Sequence, residues 1–427
     1  MADWHETTLG AICDDVGGII QTGPFGSQLH ESNYSLEGVP VVMPKDIVEG
    51  RVSTDSIARI STTHAERLSR HKLRSGDIVY GRRGDIGRQA LIDKEHEGWM
   101  CGTGCLRLSL GESVLIPQFL HYYLRQKDVI SWISNQAVGA TLPNLNTSIL
   151  RSVPVKFPQV PIQRRIAGIL SAYDELIENS QQRIRVLEKM ARSLYREWFV
   201  EFRFPGHEKV GRAVCPLGDI PQDWEFTSLE KICIEGKGVQ TGPFGSQLHE
   251  ADYSDEGVPV VMPTNLIGFR IRNERIAHIP EITAENLSRH RMQPGDIVYG
   301  RRGDIGRRAY LMLHQAGWFC GTGCLRIRPK AQAVNGWYLF NYLGQDDVLA
   351  IIAGRAQGVT MPNLNTAVMA SVPVKLPPRK LQEDFARLTF PMAEMGEALT
   401  AQIENLRRTR DLLLPRLLSG QVNLKTE

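Results

Sequence analysis

Thr22-Gly23-Pro24-Phe25-Gly26-Ser27-Gln28-Leu29-His30 returns 219 positions later as Thr241-Gly242-Pro243-Phe244-Gly245-Ser246-Gln247-Leu248-His249. The offset holds without a gap through Tyr80-Gly81-Arg82-Arg83-Gly84-Asp85-Ile86-Gly87-Arg88 and Tyr299-Gly300-Arg301-Arg302-Gly303-Asp304-Ile305-Gly306-Arg307. It still holds at Pro143-Asn144-Leu145-Asn146-Thr147 and Pro362-Asn363-Leu364-Asn365-Thr366. Solenoid repeats run roughly 20–50 residues, so a period this long marks a duplicated domain with its connector. A chain that presents one surface twice suits a target that is itself two-fold.

The chain has 427 residues, enough for two to four domains with cores of their own. Apolar residues make up 42% and charged residues 23%, the proportions of an ordinary globular chain. No run of about 18 apolar residues suggests a membrane span. The start, Met1-Ala2-Asp3-Trp4-His5-Glu6, lacks the basic and apolar stretches of a secretory signal. The seven cysteines are therefore expected to be reduced thiols in the cytoplasm. A net charge of +3 neither demands nor excludes nucleic acid, because a local basic face decides that.

Each copy reads in two parts. The first spans 1–155 and again 221–374. Val39–Pro44, Gly76–Tyr80 and Leu106–Leu108 read as short strands punctuated by Gly and Pro, and Pro117–Gln126 and Gly336–Leu343 as helices. This predicts a compact α+β globe. The second part spans 156–204 and 375–427. Ile177, Ile184, Leu187, Ala191, Leu194 and Trp198 fall at heptad spacing, three, four or seven residues apart, as do Leu399, Ile403, Leu406, Leu413 and Leu417. That spacing puts each set on one stripe of a long helix. About 40 residues at 1.5 Å each give a rod of roughly 60 Å. A rod with one narrow apolar seam needs a partner, and the other copy's rod is the nearest. Pro391 and Pro415 predict a break and a kink or early stop in the second rod, with Gly420 as its cap. Residues 205–220 read as a polar, flexible linker. It is short compared with a rod, which favours antiparallel helices with the globes at opposite ends.

Basic residues cluster within each globe: Arg70, Lys72, Arg74, Arg82, Arg83 and Arg88, then Arg289, Arg291, Arg301, Arg302, Arg307 and Arg308. Gly84 and Gly87 would let a tight turn project Arg82, Arg83 and Arg88. A guanidinium fork suits phosphate pairs and the guanine O6/N7 edge. The same turn also reads as a solvated hairpin whose glycines serve only geometry. Gln28, beside Ser27, could pair with adenine, or the Gly-Pro-Phe-Gly loop could be purely structural, anchored by Phe25. Asn144 and Asn146 fit capping and turn roles better than base reading. Cys101-Gly102-Thr103-Gly104-Cys105 and its copy at 320–324 offer half of a four-ligand metal site each, and read as small buried cysteines beside tight glycines.

Ile166-Ala167-Gly168-Ile169-Leu170, Asp174 and Leu194-Tyr195-Arg196-Glu197-Trp198-Phe199 resemble the conserved helix of type I restriction-modification specificity subunits. Leu412 to Gly420 resembles the end of the second such helix. Pro143-Asn144-Leu145-Asn146 before Val153-Pro154-Val155 resembles the end of a target recognition domain. The resemblance covers almost the whole chain. It implies an α+β architecture of two pseudo-symmetric target recognition domains, 1–155 and 221–374, separated by two long antiparallel coiled-coil helices. It implies a non-catalytic subunit that reads a bipartite site in double-stranded DNA and recruits two methyltransferase subunits and restriction subunits. S-adenosylmethionine, ATP and Mg2+ would be used by those partners and none by this chain. The sequence itself has no amino-methylation motif, no phosphate loop and no nuclease carboxylate cluster.

The expected DNA-contacting residues are Ser27, Gln28, Lys45, Arg70, Arg74, Arg82, Arg83 and Arg88 in the first globe. In the second they are Ser246, Gln247, Asn265, Arg289, Arg291, Arg301, Arg302, Arg307 and Arg308. Specificity subunits usually carry two different recognition domains, whereas between Gln21 and Pro44 only Ser32, Asn33 and Leu36 change in the second copy. The two half-sites are therefore expected to be near inverted repeats. Differences would trace to Lys45-Asp46 against Thr264-Asn265, to 51–67 against 270–286, and to Gln89 against Arg308. A coiled-coil adaptor with protein-binding globes, and the recognition subunit of a methylation-only or phage-defence system, stay open as alternatives.

Overall fold

The computed structural model describes residues 4–25, 28–84, 86–111, 114–136, 144–243, 247–302, 306–356, 363–422 and 424. The chain divides into two compact units, residues 1–180 with 402–427, and residues 181–401. Each unit holds one copy of the repeat and a part of both long helices.

In the first unit, strands Ile19–Thr22, Cys105–Ser109, Ile78–Gly81 and Gln89–Leu91 form an antiparallel sheet in that order. The central run Ile-Val-Tyr-Gly is buried on both faces, which explains why it does not alternate. A second sheet runs Met100–Cys101, Val39–Val42, Ala58–Ile60 and Tyr34–Ser35, with its first pair parallel. His5–Thr8 pairs with Pro154–Phe157, so the globe's first strand closes onto its last. The second unit repeats the plan. Its four-stranded sheet runs Val239–Thr241, Cys324–Ile327, Ile297–Gly300 and Arg308–Tyr310, and Glu225–Ser228 closes on Pro373–Leu376.

The long helices are Val160–Tyr195, ending in one π turn at Arg196–Val200, and Arg379–Leu418. They are not free-standing rods. In the first unit Ile166, Ala167 and Leu170 share a core with Leu9, Phe119, Leu120, Leu417 and Leu418. In the second, Tyr195, Trp198, Phe199 and Phe385 join Trp224, Tyr338 and Leu339. Phe385 lies edge-on to Phe199 at 5.1 Å between centroids and to Tyr195 at 5.6 Å. Each unit on its own has the helices antiparallel. Residues 166–174 face 418–410 in the first, through the shared core and the Asp174–Arg410 ion pair. In the second, Arg270 bonds both Glu188 and Glu397 while Tyr195 meets Phe385. Of the residues expected on the seam, Ile177, Trp198, Leu399, Ile403 and Leu417 are buried. Ile184, Leu187, Leu194, Leu406 and Leu413 are half-buried. Trp198 and Leu417 pack within globe cores rather than along a helix seam alone.

One buried glutamine seats the start of each helix. Gln163, 0% exposed, donates to the carbonyls of Val114 (2.7 Å) and Pro158 (2.8 Å) and accepts from Ile116 N–H at 2.9 Å. Gln382 accepts from Asn335 N–H at 2.8 Å and donates to Pro377 at 2.7 Å. Sequence position 163 plus the repeat offset is 382, so the duplication continues into the helices.

Two expectations are corrected. The second helix passes unbroken through Pro391 and Pro415. Both prolines lie on its exposed side, where the carbonyl freed by the missing N–H can bind water. On the inner side Thr389 holds the turn, bonding Trp337 Nε1 and the Phe385 carbonyl. The helix does end as expected, with Gly420 at φ 74° just beyond it. The segment 205–220 is not a flexible linker either. Arg212–Cys215 pairs with Gly218–Pro221 as a hairpin, anchored by the buried Phe204 and Ile220 and by Arg212 stacked on Phe202. Among the described residues no helix is long and apolar enough to cross a membrane.

Asp174 anchors a buried polar network with Tyr122 Oη (2.8 Å), Arg125 (3.1 Å) and Arg410. Burial works to raise its carboxyl pKa, but the two guanidinium groups and the phenol outweigh it and hold the value below normal. Asp174→Asn should therefore destabilise the first unit by about 3 kcal/mol, since it leaves Arg125 without its counter-charge and Arg410 with Asp411 alone. A depressed folded pKa means this stabilisation is full above the unfolded value of about 4 and is lost as pH falls through the folded one. Denaturant titrations of the two proteins should diverge at neutral pH and converge in acid.

Candidate nucleic-acid interface

Five loops meet at one edge of each globe, and backbone contacts lock them together. In the first copy Gly23 N–H donates to the Cys105 carbonyl at 2.9 Å, and Thr103 Oγ1 donates to the Pro24 carbonyl at 2.9 Å. Gly102 N–H donates to the Val42 carbonyl, Arg82 N–H to Gly104, and Leu145 N–H to Arg82. The glycines serve close approach. A Cβ on Gly23 would sit 2.1 Å from the Gly102 carbonyl oxygen, and one on Gly102 2.4 Å from Met43 Sδ. The second copy repeats the lock: Gly242 to Cys324, Thr322 to Pro243, Arg301 to Gly323, and Leu364 to Arg301. Cys101 and Cys105 lie inside it, where burial pushes the Cys101 thiol up to about 12. They are packing residues; among the described residues no His, Cys, Asp and Glu cluster could hold a metal.

The lock carries the arginines. Arg82 and Arg301 are half-buried, and each Nε donates to the carbonyl of the following Pro-Asn-Leu-Asn segment, at Leu145 and Leu364. Part of their donor set therefore braces the loop. Arg83 and Arg302 point out and are exposed, and the turn after Arg83 uses Gly84 at φ 80° and Gly87 at φ 112°. Arg88 and Arg307 are exposed on the far arm of the same turn. Arg70 and Arg289 are exposed, and each Nε donates to Nε2 of the next residue, His71 (3.0 Å) and His290 (2.9 Å). Burial first, then the adjacent arginine, lowers both imidazole pKa values, that of His290 to about 4, so each ring stays neutral and accepts. These histidines orient two candidate contact residues and went unnoticed in the sequence. The recurrence of Ser-Arg-His in both copies was the available signal.

Arg74 and Lys45 are exposed, with Lys45 Nζ near the Ser56 carbonyl at 3.3 Å. Gln28 and Gln247 are half-buried and each Oε1 is shielded from solvent. Ser27 and Ser246 lie outside the described residues. Asn146 and Asn365 cap short helices, accepting from Ile149 and Val368 N–H, and Asn144 accepts from Arg82 Nε.

Three of the expected contact residues are turned inward or tied up. Asn265 is 5% exposed and closes its own turn, accepting from Met262 N–H and donating to Arg272; Asp46 accepts from Met43 N–H in the same way. Arg291 is tied to Glu281 and the Gly317 carbonyl. Arg308 is 6% exposed, sandwiched over Phe269 and Phe340 at 4.8 and 5.0 Å from their centroids. None of these three faces outward. Phe25, whose anchoring was one of two open readings of its loop, is 58% exposed; the Thr103 hydroxyl and the Gly23–Gly102 contact do the anchoring.

Two copies of a loop-built basic edge on an α+β globe, with paired long helices, define a duplicated recognition architecture. A profile described as the type I restriction modification DNA specificity domain matches residues 2–189 and 221–405, and the chain belongs to that family. It is 24% identical to the type I restriction enzyme MjaIX specificity subunit of Methanocaldococcus jannaschii, over 99% of this chain and 97% of that one. It is 22% identical to the HindI specificity subunit of Haemophilus influenzae, over 99% and 100%. The crystal structure of the type I restriction-modification S subunit from M. genitalium has the same fold, with a TM-score of 0.62 at 18% identity, covering 97% of this chain and 96% of that one.

Gly23→Ala should break the lock in the first globe alone, because a backbone oxygen cannot retreat as a side-chain tip can. The expected result is a destabilisation of about 1–3 kcal/mol in the first unit and weaker DNA binding, with Gly17→Ala, which meets nothing within 4 Å, as the φ-strain control.

Proposed function

We propose that each globe offers its locked loop edge to one half of a split site in duplex DNA, as the specificity subunit of a type I restriction-modification system. The observation that carries this is the outward arginine set repeated in both copies: Arg70, Arg83 and Arg88, matched by Arg289, Arg302 and Arg307. Contacts to phosphate supply affinity and salt dependence, and a few side chains at base edges supply the choice of sequence. The chain itself catalyses nothing. Methyl transfer from S-adenosylmethionine belongs to two methyltransferase subunits, and ATP- and Mg2+-dependent cleavage to restriction subunits, in the cytoplasm.

The two half-sites are close to one short word, inverted. Some of the positions where the copies differ are spent inside the fold. Gln89 and Arg308 are buried, and Asp46 and Asn265 close turns. Lys45 against Thr264, Ser32 against Ala251 and Leu36 against Asp255 are exposed.

Methylome sequencing of a strain carrying the system should return an interrupted motif whose halves are close to inverted repeats; two unrelated halves would refute that part. Arg83→Ala with Arg302→Ala should weaken duplex binding and reduce the slope of log K against log salt by about 1 for each phosphate that is no longer neutralised. A protein that binds a scrambled duplex as well as its own in gel shifts would instead be an adaptor.

A further inference from the structure

The second unit contains a pocket of about 120 Å³ that has no equivalent polar filling. Its walls are Phe269, Tyr310, Trp337 and Phe340, with Arg308 at its side. The duplication explains how it arose. In the first unit the corresponding space is filled by Tyr122, Arg125, Asp174 and Arg410, joined in one buried network. At the repeat offset these four become Asn341, Gly344, Ala393 and Ala191. All four line the pocket.

The guanidinium has been supplied again from another position. Gln89 of the first copy becomes Arg308, whose Nη2 lies where a side chain on Gly344 would begin: a Cβ there would be 1.4 Å away. The carboxylate has not been supplied again. Arg308 donates from Nε to the Phe340 carbonyl (3.0 Å) and from Nη1 to the Gly306 carbonyl (3.3 Å), and among the described residues no acid pairs with it. Its charge is desolvated, and burial lowers its pKa to about 10. Glu188 and Glu397 also line the pocket, but both are held by Arg270. The first unit thus has a buried arginine with its carboxylate, and the second has a buried arginine with a hole in place of one. A buried guanidinium without a counter-charge is costly, and an anion in the hole would relieve it.

The geometry points to a binding site for a small carboxylate on a flat apolar body, its carboxylate at Arg308 and its body against the wall that Trp337, Tyr310 and Phe340 form by packing on one another. A closed apolar cavity of about 150 Å³ holds a benzene molecule, so this pocket of about 120 Å³, which opens to solvent, takes one substituted ring only with part of it at the mouth. The aromatic walls provide offset-stacked and edge-on contacts for a planar ring. This inference does not depend on the DNA-reading role of the chain.

Fluorine NMR of the full chain with 4-fluorobenzoate tests it. Saturable broadening is expected, with a dissociation constant of about 1 mM or tighter for a ligand of this size. The uncharged 4-fluorobenzamide should bind at least about tenfold more weakly, since it cannot neutralise a buried charge. Arg308→Gln restores the first copy's residue and should abolish binding. Ala393→Asp restores the first copy's carboxylate and should also block it, by competing for the same guanidinium. No saturable binding of the benzoate, equal binding of the benzamide, or unchanged affinity in either folded variant overturns the proposal. If both variants fail to fold, the comparison of acid with amide on the unaltered chain decides.

Discussion

The seating of each long helix by one fully buried glutamine is the constraint on which the rest depends. Gln163 and Gln382 each bond main-chain groups of the globe and the carbonyl just before their own helix. Loss of either would strand buried donors and acceptors, at about 1–3 kcal/mol for each group left without a partner. Because the bonds go to main chain, they fix position and not merely proximity. The first turn of the helix becomes part of the globe's interior, and residues one and two turns further on, such as Ile166 and Leu170, enter the same core. Helix and loop edge then belong to one packed body within each unit.

Much of this was legible in the sequence. The duplication, the globe and long-helix alternation, and the cysteines as packing residues followed from repeat spacing and periodicity. What was not legible is which way a side chain faces. Arg307 and Arg308 are adjacent, and a strand sends neighbours to opposite faces, so one is exposed while the other is buried against two aromatic rings. Asn265 reads as a polar group near a candidate loop, yet its amide is consumed by the turn that holds it. The prolines of the second helix misled for a similar reason. Their cost depends on whether the freed carbonyl reaches water, and only the fold decides that. Pro-Gly-His-Glu-Lys looked like a linker because its composition is polar, but the two residues that order the segment, Phe204 and Ile220, stand at its edges.

The duplication also works as an internal control. Where the copies agree, at the glycine lock and the outward arginines, the shared feature is a backbone geometry that tolerates no side chain or a charge that faces solvent. Where they differ, they tend to differ in company. Arg125 with Asp174 has given way to Arg308 with Phe269, an exchange in which an ion pair is replaced by stacking. Both solutions place a guanidinium at the base of the short helix that packs on the sheet, and they reach it from different elements of the chain.

The histidine behind each rim arginine has a consequence for how the grip would respond to its surroundings. An imidazole that accepts a bond from a permanently charged neighbour must give up that bond before it can take a proton. His290 does so only near pH 4, and His71 is displaced in the same direction. At neutral pH both props are therefore acceptors, and acid has further to go before it turns them than it would for an ordinary surface histidine, which swings from partner to repeller near its usual value.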